Sequence, residues 1–426
     1  MAEVKGAGGG RRLVPTVVVI GGGAAGCMAA GRAAELGARV VLFEKNRELG
    51  RKLRISGKGR CNLTNHTDVA GLVANMPGNG RFLYRAFHAW DAAATESFFA
   101  ELGVPTKVER GNRVFPASDR AADVIAALER FLRGGGVNIR PATNVRGLLI
   151  RGGAAAGVRL SDGEFAADRV IIATGGASYP GTGSTGDGYA FAAEAGHTVV
   201  PVRPSLVPLV VAEGWVASVQ GLSLRNVAVT AANAGGDRVG REFGEILFTH
   251  YGVSGPAILT LSRAVGLELG SGRGPVSISI DLKPALDLEK LDRRLQRDFA
   301  ERSRKAFKNC LDALLPRRLI EPVVALSGIE AEKPVHQVTR EERQRLAWLL
   351  KNIRLTVTAT RPLREAIITA GGVSTSEVDP GTMESKLVRG LYFAGEVLDV
   401  DGYTGGFNIQ AAFSTGRLAG EHAATE

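Results

Sequence analysis

The sequence predicts an α/β fold in which one parallel-sheet domain is interrupted by a β-rich insert and a helical subdomain. Three observations predict it. An apolar strand run, Thr16 to Ile20, leads straight into Gly21-Gly22-Gly23-Ala24-Ala25-Gly26, the G-x-G-x-x-G spacing of a nucleotide-binding turn. A second strand with a glycine turn returns near the C-terminus, from Gly390 to Asn408. Between them the composition changes at Pro201, Pro204 and Pro208, first to short Val, Leu and Thr runs and then to basic helical sequence.

Length and composition bound the answer. At 426 residues the chain exceeds one ordinary core, and 45% apolar with 23% charged residues describes a globular protein. Its 56 glycines follow no G-x-y period, so they serve turns and close backbone approach. Three cysteines (Cys27, Cys61 and Cys310) match neither a disulfide scaffold nor a metal-site spacing, which fits a reducing cytoplasm. The net charge of +10 leaves nucleic acid or an acidic substrate open as partners. The longest apolar stretch, Val17 to Ala30, is shorter than the roughly 20 residues a bilayer requires, so no membrane span is expected. Arg11-Arg12 followed by Ala24-Ala25-Gly26-Cys27 resembles a lipoprotein cleavage site, but Ala24 stands where such sites carry Leu, and a cytoplasmic location is expected. The first twelve residues read as a disordered Gly-rich tail.

From Thr16 to Glu44 the chain reads as a complete strand–helix–strand unit. Gly21 makes the tight turn, Gly23 lets backbone approach a pyrophosphate, and Gly26 allows helix-on-strand packing. The helix beginning near Cys27 would present free N–H groups to phosphate, and Gly37 stops it. Glu44 ends the second strand 18 residues after Gly26, where a carboxylate binds ribose hydroxyls. Lys45 to Asn65 follows as a basic loop carrying Arg51, Lys52, Ser56, Gly57, Arg60, Cys61 and Asn62, positioned to cover a cofactor. Ser118 is the expected cap of a helix ended by Gly134-Gly135-Gly136, with Ala121, Val124, Leu128 and Phe131 on one face. Leu148 to Ile172 reads as a β-meander ending at Thr174-Gly175-Gly176, on the ligand side of a sheet. A second literal G-x-G-x-x-G, Gly181 to Gly186, lacks the preceding strand and following acid, so it reads as a loop and helix start near Asp187.

Ser205 to Leu282 is expected to be mostly β. From Pro284 to Asn352 it turns helical, with Asp287 and a Thr339/Glu342 capping box as starts. Gly395-Glu396 closes a last strand, and Gly405-Gly406-Phe407-Asn408 opens a last helix. One domain therefore spans 13–200 and 353–426, around a β-rich insert at 201–283 and a helical subdomain at 284–352. A long cofactor held between the first turn and the last helix suits FAD better than NAD, giving a Rossmann-like FAD-binding domain.

These stretches resemble the BaiN- or YhiN-like family of bacterial FAD-dependent oxidoreductases, which includes aminoacetone oxidase. The likeness runs from Val18 to Gly416 and rests on Val19–Gly26 with Glu44, Ile55–Asn65, Gly111–Pro116, Tyr179–Tyr189, Ile246–Pro256, Gly371–Asp379 and Gly390–Asn408. The resemblance implies a flavoprotein of the two-dinucleotide-binding-domain type. It places Gly21, Gly23, Ala24, Glu44 and Lys45 at the adenosine and pyrophosphate end. Ala25 and Gly26 complete that turn, Val145 reaches adenine through its backbone, and Thr174 to Gly176 share that edge. Arg60-Cys61-Asn62 would lie near the flavin, Glu396 on the ribityl or phosphate part, and Gly406 to Asn408 at the isoalloxazine.

The expected activity is hydride transfer between a small organic substrate and FAD, with NAD(P)H as a possible transient redox partner. His250, Tyr251 and Tyr403 are the substrate-site candidates, and no catalytic acid or base can be named. Cys61 has no partner cysteine within a few residues, which disfavours a flavin–disulfide reductase. The basic helices raise an alternative, an RNA-binding or RNA-modifying flavoprotein, although nucleic acid is not the expected partner. A flavin-bound sensor without turnover is the other alternative. Substrate and oligomeric state are not legible.

Overall fold

The computed structural model describes residues 14–425; the Gly-rich start read as a disordered tail lies outside the described residues. Two compact units form, Met1–Arg203 with Ile368–Glu426, and Pro204–Ile367.

The first unit is built on a five-stranded parallel sheet, in the order Leu391–Phe393, Arg169–Ile172, Thr16–Ile20, Arg39–Phe43 and Asn138–Arg140. Val18 faces Val170 on one side and Val41 on the other. Val17, Val18 and Val19 are fully buried, as central strands covered on both faces require. The last helix, Phe407–Thr425, packs along the first, Ala24–Glu35. A Cβ added at Gly416 or Gly420 would lie 2.2 Å from the carbonyl oxygen of Ala25 or Ala29, so backbone touches backbone along that seam. This seam is why the C-terminal segment returns to the first strand–helix unit. A three-stranded antiparallel meander, Gly147–Arg151, Ala154–Leu160 and Gly163–Ala166, precedes the strand Arg169–Ile172.

Two readings of this unit need correction. Ser118 does not hold the cap position of the helix Ala121–Gly134; Arg120 does, and its side chain makes no capping bond. The basic stretch after Glu44 is not all loop, because Arg51–Gly59 is helical, broken at Ser56–Lys58 by non-helical backbone. Leu53, 4% exposed, anchors it to the core, and one buried leucine among basic residues is a weak periodic signal.

In the second unit six strands close a barrel: Leu209–Val211, Gly252–Ser254, Arg238–Thr249, Ser223–Ala232, Val276–Asp281 and Ile353–Thr360, the last pairing back to the first. The helix Pro256–Gly270, absent from the mostly-β reading, interrupts the strands. Asp287 caps Leu288–Glu301 through the Lys290 amide at 2.7 Å, and Thr339 and Glu342 form the reciprocal box of Arg340–Lys351. The expected divisions at 283/284 and 352/353 do not separate packing units. Leu291, Leu319 and Leu350 share one core with Ile278, Ile280 and Leu355. Ile353, Leu355 and Val357 alternate inward and close the barrel, so the chain rejoins the first unit at Ile368 rather than 353.

Among the described residues no helix is long and apolar enough to cross a membrane.

Candidate nucleotide-binding cleft

The first turn does what its glycines allow. Gly21 has φ +104°, and an added Cβ would meet the Ala173 carbonyl oxygen at 2.5 Å; at Gly26 it would meet the Gly21 oxygen at 1.8 Å. These two positions are closed by the protein itself. Gly23 differs, since a Cβ there would meet nothing within 4 Å. It is the N-cap of Ala24–Glu35, no side chain caps that helix, and its first turn carries no acid. An uncapped, glycine-lined helix start of this kind offers backbone N–H groups and a positive dipole end to phosphate.

Gly21, Gly23, Ala24 and Ala25 line a cleft that is partly open to solvent. Glu44, 8% exposed, lines it too, its Oε2 accepting from the Gly22 amide at 2.8 Å and its Oε1 from the Asn46 amide at 2.7 Å. Lys45, Arg51, Val145, Thr174 and Gly175 line the same cleft. The opposite wall comes from the second glycine segment. Thr182, Gly183 and Ser184 line the cleft, and Lys45 Nζ donates to Asp187 Oδ2 at 2.6 Å and to Thr185 Oγ1.

Lys52, Ser56, Gly395, Glu396 and Asn408 also belong to the lining. Lys52 Nζ donates to Glu396 Oε2 at 2.7 Å, to Oε1 at 3.0 Å and to Ser178 Oγ at 2.8 Å. The Ser178 hydroxyl at 3.2 Å and the Thr369 amide at 2.9 Å also donate to Glu396 Oε1. Asn408 spends its side chain on the preceding loop, accepting from the Gly402 amide at 2.8 Å and donating to the Gly402 oxygen at 2.9 Å. It therefore fixes the entry of the last helix, whose first turn presents Asn408 and Ile409 to the cleft.

Other expected site residues stand behind this lining. Gly26 is pressed against the Gly21 carbonyl of its own turn, and Gly176 sits under Thr369 and Glu396, where a Cβ would come within 2.4 Å of Thr369 Oγ1. Gly57 and Asn62 lie outside the lining, and Asn62 Oδ1 is buried without a hydrogen-bond partner. Arg60 stacks on Phe115 at 4.0 Å and pairs with Glu109 at 2.8 Å. Burial pushes the Cys61 thiol up to about 12, so it is protonated at neutral pH; it and the other two cysteines are free. Gly405, Gly406 and Phe407 lie outside the lining, and Gly406 has φ +102° with a Cβ position 2.3 Å from the Thr64 oxygen. Its glycine thus answers to a protein neighbour rather than to a ring in the cleft. Tyr403 does not line the cleft, and its carbonyl accepts from Asn408 Nδ2 at 3.3 Å. His250 and Tyr251 belong to the second unit, their rings 4.8 Å apart, with Arg361 over Tyr251.

Asn46, Thr143, Asn144 and the 182–184 wall were not singled out from sequence. Asn46 had a signal, since it follows the strand-end acid by two residues; the wall had none, because only folding brings it opposite Lys45.

The residues fit FAD: the open Gly23 helix start and the carboxylates of Glu44 and Glu396 line one cleft. A family model described as HI0933-like protein Rossmann domain matches residues 15–422. The 3-dehydro-bile acid delta(4,6)-reductase of Clostridium scindens is 36% identical over 405 residues, 94% of this chain and 97% of that protein. The ribosomal RNA dihydrouridine synthase of Escherichia coli is 32% identical over 400 residues, 92% and 94% of the two chains. Among solved structures, a flavocytochrome c3 fumarate reductase aligns with a TM-score of 0.52 at 18% identity, covering 96% of this chain and 78% of that one. The 3-ketosteroid-delta4-(5alpha)-dehydrogenase of Rhodococcus jostii aligns with the same TM-score at 15% identity, over 96% of both chains. At those identities the two structures speak to the fold alone.

Proposed function

The chain belongs to the HI0933-like Rossmann family, and from that premise we propose that it reduces a carbon–carbon double bond conjugated to a carbonyl group in a small organic substrate. It is a FAD-dependent oxidoreductase. The single observation that carries the reading is one cleft bordered by the uncapped Gly23 helix start, Glu44 and Glu396. In this reading the N–H groups at Ala24–Glu35 hold the pyrophosphate, Glu44 accepts from adenosine ribose hydroxyls, and Glu396 accepts from the ribityl part. Asn408 fixes the last helix, whose first turn would lie beside the flavin. When bound, FAD supplies the two-electron redox chemistry.

The relatives' names narrow the substrate class. A delta(4,6)-reductase acting on a 3-dehydro bile acid reduces bonds in conjugation with a carbonyl, and dihydrouridine formation saturates a ring bond that is also beside one. A steroid-like dienone is the first reading because of the 36% identical relative. The net charge of +10, together with the 32% identical relative, supports ribosomal RNA as a second reading.

Anaerobically reduced, FAD-loaded protein mixed with a 3-oxo-4,6-diene bile acid should regain its oxidised flavin band while the acid gains two hydrogens. Reoxidation by a ribosomal RNA fragment and not by the dienone would favour the second reading. No reoxidation by either would contradict the proposed chemistry. With one nucleotide-binding sheet among the described residues, NADH and NADPH are expected to reduce the flavin slowly.

A further inference from the structure

We infer that Lys52 is not itself a cofactor ligand but a positioning residue that acts through Glu396. The inference rests on the reading of the cleft as the FAD site. An ammonium group has three N–H donors and no acceptor. At Lys52 all three have protein acceptors: Glu396 Oε2 at 2.7 Å, Glu396 Oε1 at 3.0 Å and Ser178 Oγ at 2.8 Å. No donor remains for a ligand.

Glu396 shows the complementary pattern. Its Oε1 accepts from Lys52, from the Thr369 amide at 2.9 Å and from Ser178 Oγ at 3.2 Å. Among the described residues its Oε2 accepts from Lys52 alone, and a carboxylate oxygen has a second lone pair to offer. One oxygen is thus consumed by the protein and the other keeps capacity for a hydroxyl of the cofactor's polyol chain. The carboxylate has little freedom to turn. Thr369 Oγ1 is held by the Ala177 and Ser178 amides at 2.9 and 3.1 Å, and a Cβ on Gly176 would lie 2.7 Å from Glu396 Oε1. The side chains of Lys52 and Glu396 are 28% and 19% exposed, so the pair is not a fully screened surface pair. Removing the cation strands a largely buried carboxylate and leaves its Oε2 without the donor that holds it.

The test is a double-mutant cycle on the full-length protein, read as the FAD dissociation constant by flavin fluorescence. Lys52→Met should weaken FAD binding by about 10-fold to 100-fold, the loss expected for a charged hydrogen bond. Lys52→Arg, which keeps the charge, should recover most of that loss. Glu396→Gln should weaken binding as well, and adding Lys52→Met to it should cost no more than about twofold further. Multiplicative losses in the double variant would overturn the inference, because Lys52 would then act on the cofactor independently of Glu396. If Lys52→Met does not fold, Ser178→Ala takes its place, with the same non-additivity against Glu396→Gln expected and multiplicative loss again contradicting it. Wild-type protein with no affinity for FAD would overturn the reading of the cleft, an outcome distinct from additivity.

Discussion

Two segments of this chain spell G-x-G-x-x-G, and only one of them builds a nucleotide turn. Gly21–Gly26 leaves a strand buried from Val17 to Ile20 and enters a twelve-residue helix, with Gly26 pressed against its own turn. Gly181–Gly186 begins inside a single 3-10 turn, Pro180–Thr182, and a Cβ on Gly181 would meet nothing within 4 Å. Yet the second segment borders the same cleft through Thr182, Gly183 and Ser184. The difference teaches that the motif's meaning lies in what flanks it. A glycine forced by the neighbouring backbone reports on fold, whereas a glycine in open space reports on a ligand or on nothing.

The comparison can be broken by substituting matched positions. The largest effect is expected at Gly26→Val, whose Cβ would lie 1.8 Å from the Gly21 oxygen. It should destabilise the protein by about 3 kcal/mol or more, read from the denaturant midpoint. An unchanged midpoint would mean that the turn is not packed as described. Glu44→Gln should come next, weakening FAD about 10-fold through the lost charged acceptor, with the reduction potential of bound FAD unchanged. A shifted potential would place Glu44 at the flavin instead of the adenosine.

A pH effect sharpens the contrast just beyond the second segment. Its helix, Asp187–Glu194, is followed by His197, whose Nε2 sits 2.7 Å from Ser385 Oγ and whose Nδ1 is 3.2 Å from Glu377. Burial holds the imidazole below its ordinary value, against the opposing pull of Glu377. Below about pH 6.5 the unfolded chain therefore binds a proton that the folded one excludes, and this contribution to stability falls as the pH drops. His197→Asn should flatten the slope of stability between pH 6.5 and 5; an unaltered slope would show that His197 is not its source. The smallest effect belongs to Gly181→Ala, expected to change stability by less than about 0.5 kcal/mol and FAD affinity by less than about twofold. A large loss there would make the two glycine segments equivalent.

The fold was legible where pattern and packing coincide. Thr16–Ile20, the first turn, Glu44 and the capped helices at Asp287 and Thr339 follow from spacing and caps alone, because local chemistry decides them. Ile353–Thr360 was not legible as a barrel strand. Its partners, Leu209–Val211 and Val276–Asp281, are distant in sequence, and alternation alone does not say which sheet a strand joins. In the cleft, the sequence pointed to Glu44, Lys52 and Glu396, but not to the bond between the last two, which joins residues 344 apart. The 182–184 wall was hidden for the same reason. Gly406 was legible as a required glycine but not for its cause, since its neighbour Thr64 is far along the chain.

The central claim is that phosphate meets backbone at the start of Ala24–Glu35, and Gly23→Asp tests it most directly. Gly23 has φ −83°, which any residue adopts, and open space where a Cβ would stand. Aspartate is also a favoured N-cap, so the cofactor-free protein should melt at the same temperature as wild type or higher. The same carboxylate would repel a pyrophosphate, so FAD affinity should fall at least about 100-fold by fluorescence titration. Undiminished stability with lost FAD binding is the predicted result. A Gly23→Asp protein that binds FAD as tightly as wild type would contradict the account.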